Sequence, residues 1–423
     1  MELINSYYEA SVSRPPSEPM LTGEVHADVC VIGGGFTGLS CALELAQAGR
    51  KVILLEAERV GWGASGRNGG QCICGYSTDA LAGPARQAGV TEKYLFDLTR
   101  EAISLLHARR QQYSIDCDWR SGYLLAAIHA RHCRELEEHA NTLTNRYHYP
   151  LRLLDLPETR AAIASRRYCG AMVDEQSGHL HPLKYVLGLS NAALASGVRL
   201  HEQSPALSVV DMGNNIEVKT AAGMVCCRQV VFAGNAYLEI APRLRTRVMP
   251  ASTCIGATAP LGAAAAENLI ANQRAVCDMN FVIDYFRCSA DTRLLFGGRV
   301  DYANRTPSDL AGCIRQRMEK VFPQLIGEKL DYVWGGAVAI TINRFPDIGR
   351  QGNNVYYAQG FSGHGVALSG FAGKILADAI VGDTEKLDVF SRIRHRPFPG
   401  GNTFRTPLLV LAMLYYQLRD LFG

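Results

Sequence analysis

Ala27-Asp28-Val29-Cys30-Val31-Ile32-Gly33-Gly34-Gly35-Phe36-Thr37-Gly38 is an apolar run that ends in glycines spaced as GxGxxG, and a second apolar run, Val52-Ile53-Leu54-Leu55, closes on Glu56. Between them Leu39, Leu43 and Ala46 fall on one helical face, and Gly49 stands where a helix ends. Strand, glycine turn, helix, strand and terminal acid together make a dinucleotide-binding βαβ unit rather than a glycine-rich loop. Gly33 permits the tight turn, Gly35 leaves room for a pyrophosphate, and Gly38 lets helix approach strand. Phe36 and Thr37 lie at the helix start, whose unpaired N–H groups suit phosphate oxygens. Glu56, followed by Ala57, is the expected acceptor for a ribose hydroxyl.

The chain has 423 residues, enough for two domains with sizeable cores. Hydrophobic residues make up 48% and charged residues 20%, the balance of a soluble globular protein. A net charge of +3 without a long basic run argues against nucleic acid and for a small-molecule partner. Thirteen cysteines, with no secretory pattern in Met1-Glu2-Leu3-Ile4-Asn5, read as mostly reduced thiols in a cytoplasmic protein. Cys72, Cys74, Cys226 and Cys227 lack the spacing of a metal site, and no metal is expected. His179-Leu180-His181 precedes Pro182, which reads as a helix entry with Pro in the first turn. No apolar stretch reaches the roughly 20 residues that span a bilayer. Pro407–Tyr416 reads as part of a terminal helix packed on the body or on a second subunit, with a peripheral membrane contact as the alternative.

The first 20 or so residues read as an extended arm. After the βαβ unit, Gly61–Gln71 is too rich in glycine for a regular element, and such a loop usually hugs a ligand. Residues from about Thr91 to Tyr147 have helical spacing, and Pro182–Ala195 reads as a further helix. Strands are expected at Val198–Leu200, near Val209 and Ile216, and at Val230–Phe232, the last ending in Ala233 and Gly234. Phe281–Phe286 and Leu294–Val300 read as antiparallel strands joined at Ser289-Ala290-Asp291. The pattern returns to α/β type at Asn354–Ala358, then Gly360-Phe361-Ser362-Gly363-His364-Gly365, then an apolar helix from Val366 to Ile380.

The fold class is therefore α/β: a discontinuous Rossmann-type domain at 25–85, 150–235 and 335–395, with a second α+β substrate domain on an antiparallel sheet at 86–149 and 236–334. Residues 396–423 are expected to form a helical tail. Two glycine-rich segments far apart in sequence make sense if a long cofactor lies between them. NAD needs only the first; a flavin dinucleotide also needs loops that hold its ring, and Ser65–Gln71 and Gly360–Gly365 are suited to this. The second opens a helix whose positive end would stabilise the anionic edge of a reduced flavin.

In these segments the chain resembles the D-amino-acid oxidase superfamily of FAD-dependent amine oxidoreductases. The likeness runs through the fingerprint, Gly63-Ala64-Ser65-Gly66-Arg67-Asn68-Gly69-Gly70-Gln71, the Val230–Gly234 strand, Leu295-Phe296-Gly297-Gly298-Arg299 and Gly360–Gly365. Ser-Gly-Arg-Asn-Gly-Gly together with Gly-Phe-Ser-Gly-His-Gly is most similar to the γ-glutamylputrescine oxidoreductase branch. The resemblance implies that Ala64, Ser65, Arg67, Asn68, Gly69, Gly70 and Gln71 line the flavin and its phosphates. It implies further that Ala206 meets the adenine through its backbone, that Ala233, Gly234, Gly360 and Ser362 flank the cofactor, and that Gly363, His364 and Gly365 face its pyrimidine edge. Covalent relatives attach flavin through a Cys or His that Trp334–Asn343 and Gly61–Gln71 lack, so the FAD is expected to be noncovalent. Sarcosine-oxidase relatives use a Lys to promote reaction with oxygen; Leu294–Arg299 has none, which leaves the acceptor open between oxygen and another carrier.

The implied reaction takes hydride from an amine-bearing carbon to flavin N5, giving an imine that water hydrolyses to aldehyde and ammonia. Orientation matters more here than an acid or base. Tyr285 and Arg287 alternate on one strand face, where Arg287 would hold a substrate carboxylate; the alternative makes both surface residues of a sheet. His364 is either an active-site donor or a loop residue satisfied by backbone. A glutamylated polyamine is the expected substrate, with sarcosine or a D-amino acid, or a flavin-binding assembly role without turnover, as alternatives.

Overall fold

The structure, a computed structural model, describes residues 5–280, 282–301 and 309–399. The βαβ unit forms as read: strands Val29–Ile32 and Val52–Leu55 pair in parallel around the helix Phe36–Gln47. They are central in a six-stranded sheet in the order Asp347–Gln351, Val355–Gln359, Gln229–Phe232, Val29–Ile32, Val52–Leu55, Arg199–His201. All neighbours are parallel except the edge hairpin of Asp347–Gln351 and Val355–Gln359. One face, through Val29, Val31 and Leu54, packs with residues of the helices Phe36–Gln47 and Gly365–Val381. The other, through Cys30, Ile32 and Ile53, packs against Ile216, Val218 and Val225 of a four-stranded sheet. Burial on both faces explains why these strands read as unbroken apolar runs.

A nine-stranded sheet is the other main layer. Its central strand Arg120–Ala127 pairs in parallel with Ala275–Asp278 and antiparallel with Gly170–His179. This corrects the helical reading of Thr91–Tyr147, which is two helices, Glu92–Gln112 and Ala130–Tyr147, separated by that strand. Tyr123-Leu124-Leu125-Ala126-Ala127 has helix-favouring leucine and alanine, but pairing on both sides outweighs a weak local preference. The strand expected at Phe281–Phe286 is observed at Tyr285–Cys288, and its partner runs Leu294–Asp301. Residues 150–235 contribute to both large sheets: Arg199–His201 and Gln229–Phe232 to the six-stranded one, Arg152–Leu154 and Gly170–His179 to the nine-stranded one. The N-terminal arm is not extended throughout. Tyr7–Ala10 is a short helix with Ser6 at its N-cap, and Tyr7 and Tyr8 are buried. The tail helix expected around Pro407–Tyr416 lies outside the described residues, and no single helix among those described is long and apolar enough to cross a membrane.

The helices Phe36–Gln47 and Gly365–Val381 touch closely. A Cβ on Gly373 would lie 2.3 Å from the carbonyl oxygen of Thr37. Buried Arg109 ties them to the helix Glu92–Gln112, donating from Nη1 to Ser40 Oγ (2.8 Å) and from Nη2 to Glu44 Oε1 (2.8 Å). The starts of Phe36–Gln47 and Gly365–Val381 are thereby held at the carboxyl ends of Val29–Ile32 and Val355–Gln359, the two strands that flank Gln229–Phe232, where ligands of open α/β sheets bind.

Candidate active site

Three glycine segments meet at those strand ends. Gly33 has φ +117°, and a Cβ there would stand 2.8 Å from the carbonyl carbon of Ala233, so the turn and the end of the Gln229–Phe232 strand admit only glycine. A Cβ on Gly38 would sit 1.9 Å from the Gly33 carbonyl oxygen, which is the close helix-to-turn approach expected of the last fingerprint glycine. Gly35 is the N-cap of its helix and offers no capping side chain; the Phe36 N–H is met from the second segment, donating to Ser65 Oγ at 3.0 Å. Glu56 accepts from the N–H groups of Gly34 (2.6 Å) and Glu58 (3.0 Å), while burial pushes its carboxyl above the ordinary range. Ala57 is exposed beside it, and Ala206 packs at the edge of the core under the four-stranded sheet.

The Gly61–Gln71 loop contains one 3-10 turn, Ala64–Gly66, and is braced from within. Asn68 donates from Nδ2 to the carbonyls of Ala64 (2.9 Å) and Ser65 (3.2 Å) and accepts the Gly70 N–H at Oδ1 (2.8 Å). Its side chain holds the loop's shape. Arg67 stacks over Trp62, its guanidinium carbon 4.0 Å from the ring centre, and its backbone oxygen accepts from Trp334 Nε1 at 3.0 Å. The third segment is tied to the strand end before it: the Gly360 N–H donates to Asn235 Oδ1 at 3.0 Å. Ser362 Oγ donates to the Gly360 carbonyl (3.2 Å) and accepts the Thr341 N–H (3.3 Å), so this hydroxyl is spent on the loop. Gly363 has φ +97° and open space on its Cβ side. His364 is the N-cap of the Gly365–Val381 helix without a side-chain capping bond, and burial lowers its pKa to about 4, so its ring is neutral near pH 7.

Tyr285 and Arg287 share a strand face as expected, and that face is turned toward the glycine loop. The Tyr285 ring lies where a Cβ on Gly297 would be 2.0 Å away and one on Gly69 2.8 Å away. Arg287 is 3% exposed, which removes the reading of both as surface residues. The Arg287 guanidinium, expected to hold a substrate carboxylate, is already engaged by the fold. Its Nε donates to the Gly69 carbonyl (2.6 Å), and Nη2 to the Leu180 carbonyl (3.0 Å) and Tyr8 Oη (3.1 Å), with Nη1 toward His179 Nδ1 (3.5 Å). A guanidinium with its donors committed to the fold is a clamp on the loop. We expect Arg287→Ala to weaken cofactor retention and lower Tm, because three buried acceptors each lose a partner at about 1–3 kcal/mol. Arg287→Lys should rescue little, since an ammonium cannot reproduce the fork. Reduction by amines with and without a carboxylate should suffer equally; a loss confined to carboxylate-bearing amines would return the residue to substrate binding.

His181 caps the helix Pro182–Ala195 by accepting the Lys184 N–H at Nδ1 (3.2 Å), as the Pro182 signal suggested. His179 Nε2 donates to the Gln273 carbonyl at 2.8 Å. Burial first, and Arg287 second, push both imidazoles down to about 3. In the unfolded chain each takes up a proton near pH 6.5, whereas folded they stay neutral down to about 3. The unfolded state therefore binds more protons through that window, so their stabilisation is complete above 6.5 and is lost on acidification, at about 1.4 kcal/mol per pH unit for each ring. Tm should fall between pH 6 and 4, and His181→Asn, which keeps a capping group, should flatten that slope by one proton. An unchanged slope in the variant would assign the acid sensitivity elsewhere.

Asn235, Trp334, Trp62 and Tyr8 support the site without having been singled out in the sequence. Only Asn235, at the end of a strand that stops in small residues, carried a local signal. Some of the buried polar atoms without a protein partner lie in these segments: Arg67 Nε and Nη2, Gln71 Nε2, His364 Nδ1 and Glu58 Oε2. Unmet donors, two helix starts without side-chain capping bonds, and a terminal acid fit a long, anionic, heteroatom-rich ligand such as FAD.

A glycine-lined dinucleotide site at the switch of a parallel sheet, extended by two loops that reach a second sheet, defines a flavin-dependent oxidoreductase architecture. The family model described as FAD dependent oxidoreductase matches residues 28–379, and the chain belongs to that family. It is 41% identical over 424 residues to γ-glutamylputrescine oxidoreductase of Escherichia coli, covering 100% of this chain and 99% of that protein. A probable oxidoreductase, OrdL, of Haemophilus influenzae is 40% identical, with 99% and 98% covered. Among solved structures, glycine oxidase from Geobacillus kaustophilus superposes with a TM-score of 0.75 at 21% identity, covering 88% of this chain and 99% of that one, and shares the fold.

Proposed function

We propose that this enzyme oxidises the primary amine of a γ-glutamylated polyamine, with γ-glutamylputrescine as the first substrate to test. The reading rests on the 41% identity, held along the whole of both chains, to the Escherichia coli protein of that name. When bound, FAD supplies the hydride acceptor for oxidation of the amine to an imine, which water converts to aldehyde and ammonia. Gly33, Gly35, Phe36, Thr37 and Gly38 hold the pyrophosphate, Glu56 and Ala57 the ribose, and Ala206 the adenine. Ala233 and Gly234 close the turn. Ala64, Ser65, Arg67, Asn68, Gly69, Gly70 and Gln71 shape the ring side, where Arg67 and Gln71 have donors to spare. Gly360, Ser362, Gly363, His364 and Gly365 form the opposite wall, with neutral His364 as a donor or acceptor at its unpaired Nδ1. Tyr285 packs on the loop from the substrate side, and Arg287 positions it. Oxygen serves as acceptor, giving hydrogen peroxide, and the protein works in the cytoplasm. The dinucleotide part comprises 25–85, 150–235 and 335–395, and the substrate part 86–149 and 236–334.

Anaerobic bleaching of the flavin by γ-glutamylputrescine, sarcosine and D-alanine tests this reading. Fast bleaching by the glutamylated amine alone is expected. Preference for sarcosine or D-alanine would move the enzyme to another amine class, and no bleaching by any would mean that the site binds flavin without turnover. Acid precipitation should release all of the FAD into solution, because neither attachment segment holds a Cys or His. Flavin in the washed pellet would overturn the noncovalent assignment.

A further inference from the structure

Thirteen cysteines are present, and five of them are reached by solvent: Cys74, Cys133, Cys169, Cys226 and Cys313. Two of these five meet. Cys133, in the first turn of the helix Ala130–Tyr147, has its sulfur 3.2 Å from that of Cys169, the residue before the strand Gly170–His179. Neither is there by chain proximity, since they stand 36 residues apart. The backbone fixes each partner: the Cys133 N–H donates to the His129 carbonyl (3.2 Å) and the Cys169 N–H to the Ala127 carbonyl (2.9 Å). The next residue makes room for them, because a Cβ on Gly170 would sit 3.0 Å from Cys133 Sγ. Around the pair lies a small apolar cluster that includes Ala127, Leu136 and Met172.

We infer that Cys133 and Cys169 form a reversible disulfide when the protein meets hydrogen peroxide. One thiolate attacks a peroxide oxygen, the O–O bond breaks, and a sulfenic acid and hydroxide result. The second sulfur attacks the sulfenyl sulfur, expelling its oxygen as hydroxide. The protons lost by the two thiols make two waters, so two thiols and one peroxide give one disulfide and two waters, with sulfur oxidised and peroxide oxygen reduced. An S–S bond needs about 2.0 Å, so the two sulfurs have only about an ångström to close. The product links the helix to the sheet strand that carries Asp174 and His179, closing a long loop and restricting the unfolded chain. The inference does not depend on which amine the enzyme oxidises, since the peroxide is added.

The experiment takes holoenzyme purified under reductant, exposes it to limiting hydrogen peroxide, and quenches it with an alkylating agent. Peptide mapping without reduction should find the Cys133 and Cys169 peptides joined, with the denatured thiol titre falling from thirteen to eleven and returning after dithiothreitol. Cys133→Ser should abolish the joined peptide and leave Cys169 as a trappable sulfenic acid or free thiol; Cys169→Ser should abolish it too. The wild-type cross-link should raise Tm, and peroxide should not raise it in either variant. The inference is overturned if other cysteines oxidise while these two stay reduced, or if either sulfur goes on to sulfinic acid without a joined peptide.

Discussion

Purified Gly35→Val protein is expected to be folded and colourless. The Cβ of any side chain at position 35 would stand 2.8 Å from Ser65 Oγ, and that hydroxyl is what receives the Phe36 N–H at the start of the fingerprint helix. Because the obstacle is the end of a small side chain, Ser65 can turn away and the fold survives. The branched methyl groups then occupy the helix start, where the proposed pyrophosphate must approach the backbone. Flavin affinity should drop by at least about 100-fold, equivalent to roughly 2.7 kcal/mol. Titration of apoprotein with FAD, followed by flavin fluorescence, reads this directly, with circular dichroism reporting the fold. Gly38→Ala is a contrasting case: its Cβ would press 1.9 Å from the Gly33 carbonyl oxygen, a backbone atom that cannot step aside, so loss of flavin should come with a lower Tm. Full flavin occupancy in Gly35→Val would remove the fingerprint from the cofactor site.

Gly363→Pro is expected to slow flavin reduction by about 100-fold while much of the FAD stays bound through the first segment. Gly363 precedes the N-cap of the Gly365–Val381 helix, and proline deletes its N–H. The structure adds a second effect: φ at this position is +97°, which proline cannot adopt and alanine adopts only with strain. Gly363→Ala therefore serves as the control, since it bears strain but keeps the N–H. Rapid anaerobic mixing with γ-glutamylputrescine should find the alanine variant much faster than the proline variant. Equal rates would assign the effect to loop shape alone, and a wild-type rate in a flavinated Gly363→Pro protein would show that the ring's reactive edge lies elsewhere.

Much of this was legible because the residues involved answer to local rules. Gly33, Gly35 and Gly38 stand in the only order that allows a strand, a tight turn and a helix in so few residues, and Pro182 after His181 announced a helix start. The strand Arg120–Ala127 was not legible, because its leucines and alanines suit a helix and its neighbours come from residues 170–179 and 275–278. The family resemblance implies that Asn68 and Ser362 lie at the cofactor. Which way their side chains turn depends on nearby carbonyls and N–H groups that can be placed only once each loop has closed.

Local chemistry was enough to read the βαβ unit, its glycine turn and acid, the return to α/β order near residue 355, and the placing of Tyr285 and Arg287 on one face. These follow from φ/ψ limits and side-chain periodicity, which act over a few residues. Packing of distant segments is what directs Arg287 to Gly69, Leu180 and Tyr8, brings Asn235 to Gly360, and sets Cys133 against Cys169. Those contacts join residues from 36 to 279 positions apart. Their energies come from burial and hydrogen-bond satisfaction, which exist only after the chain has packed.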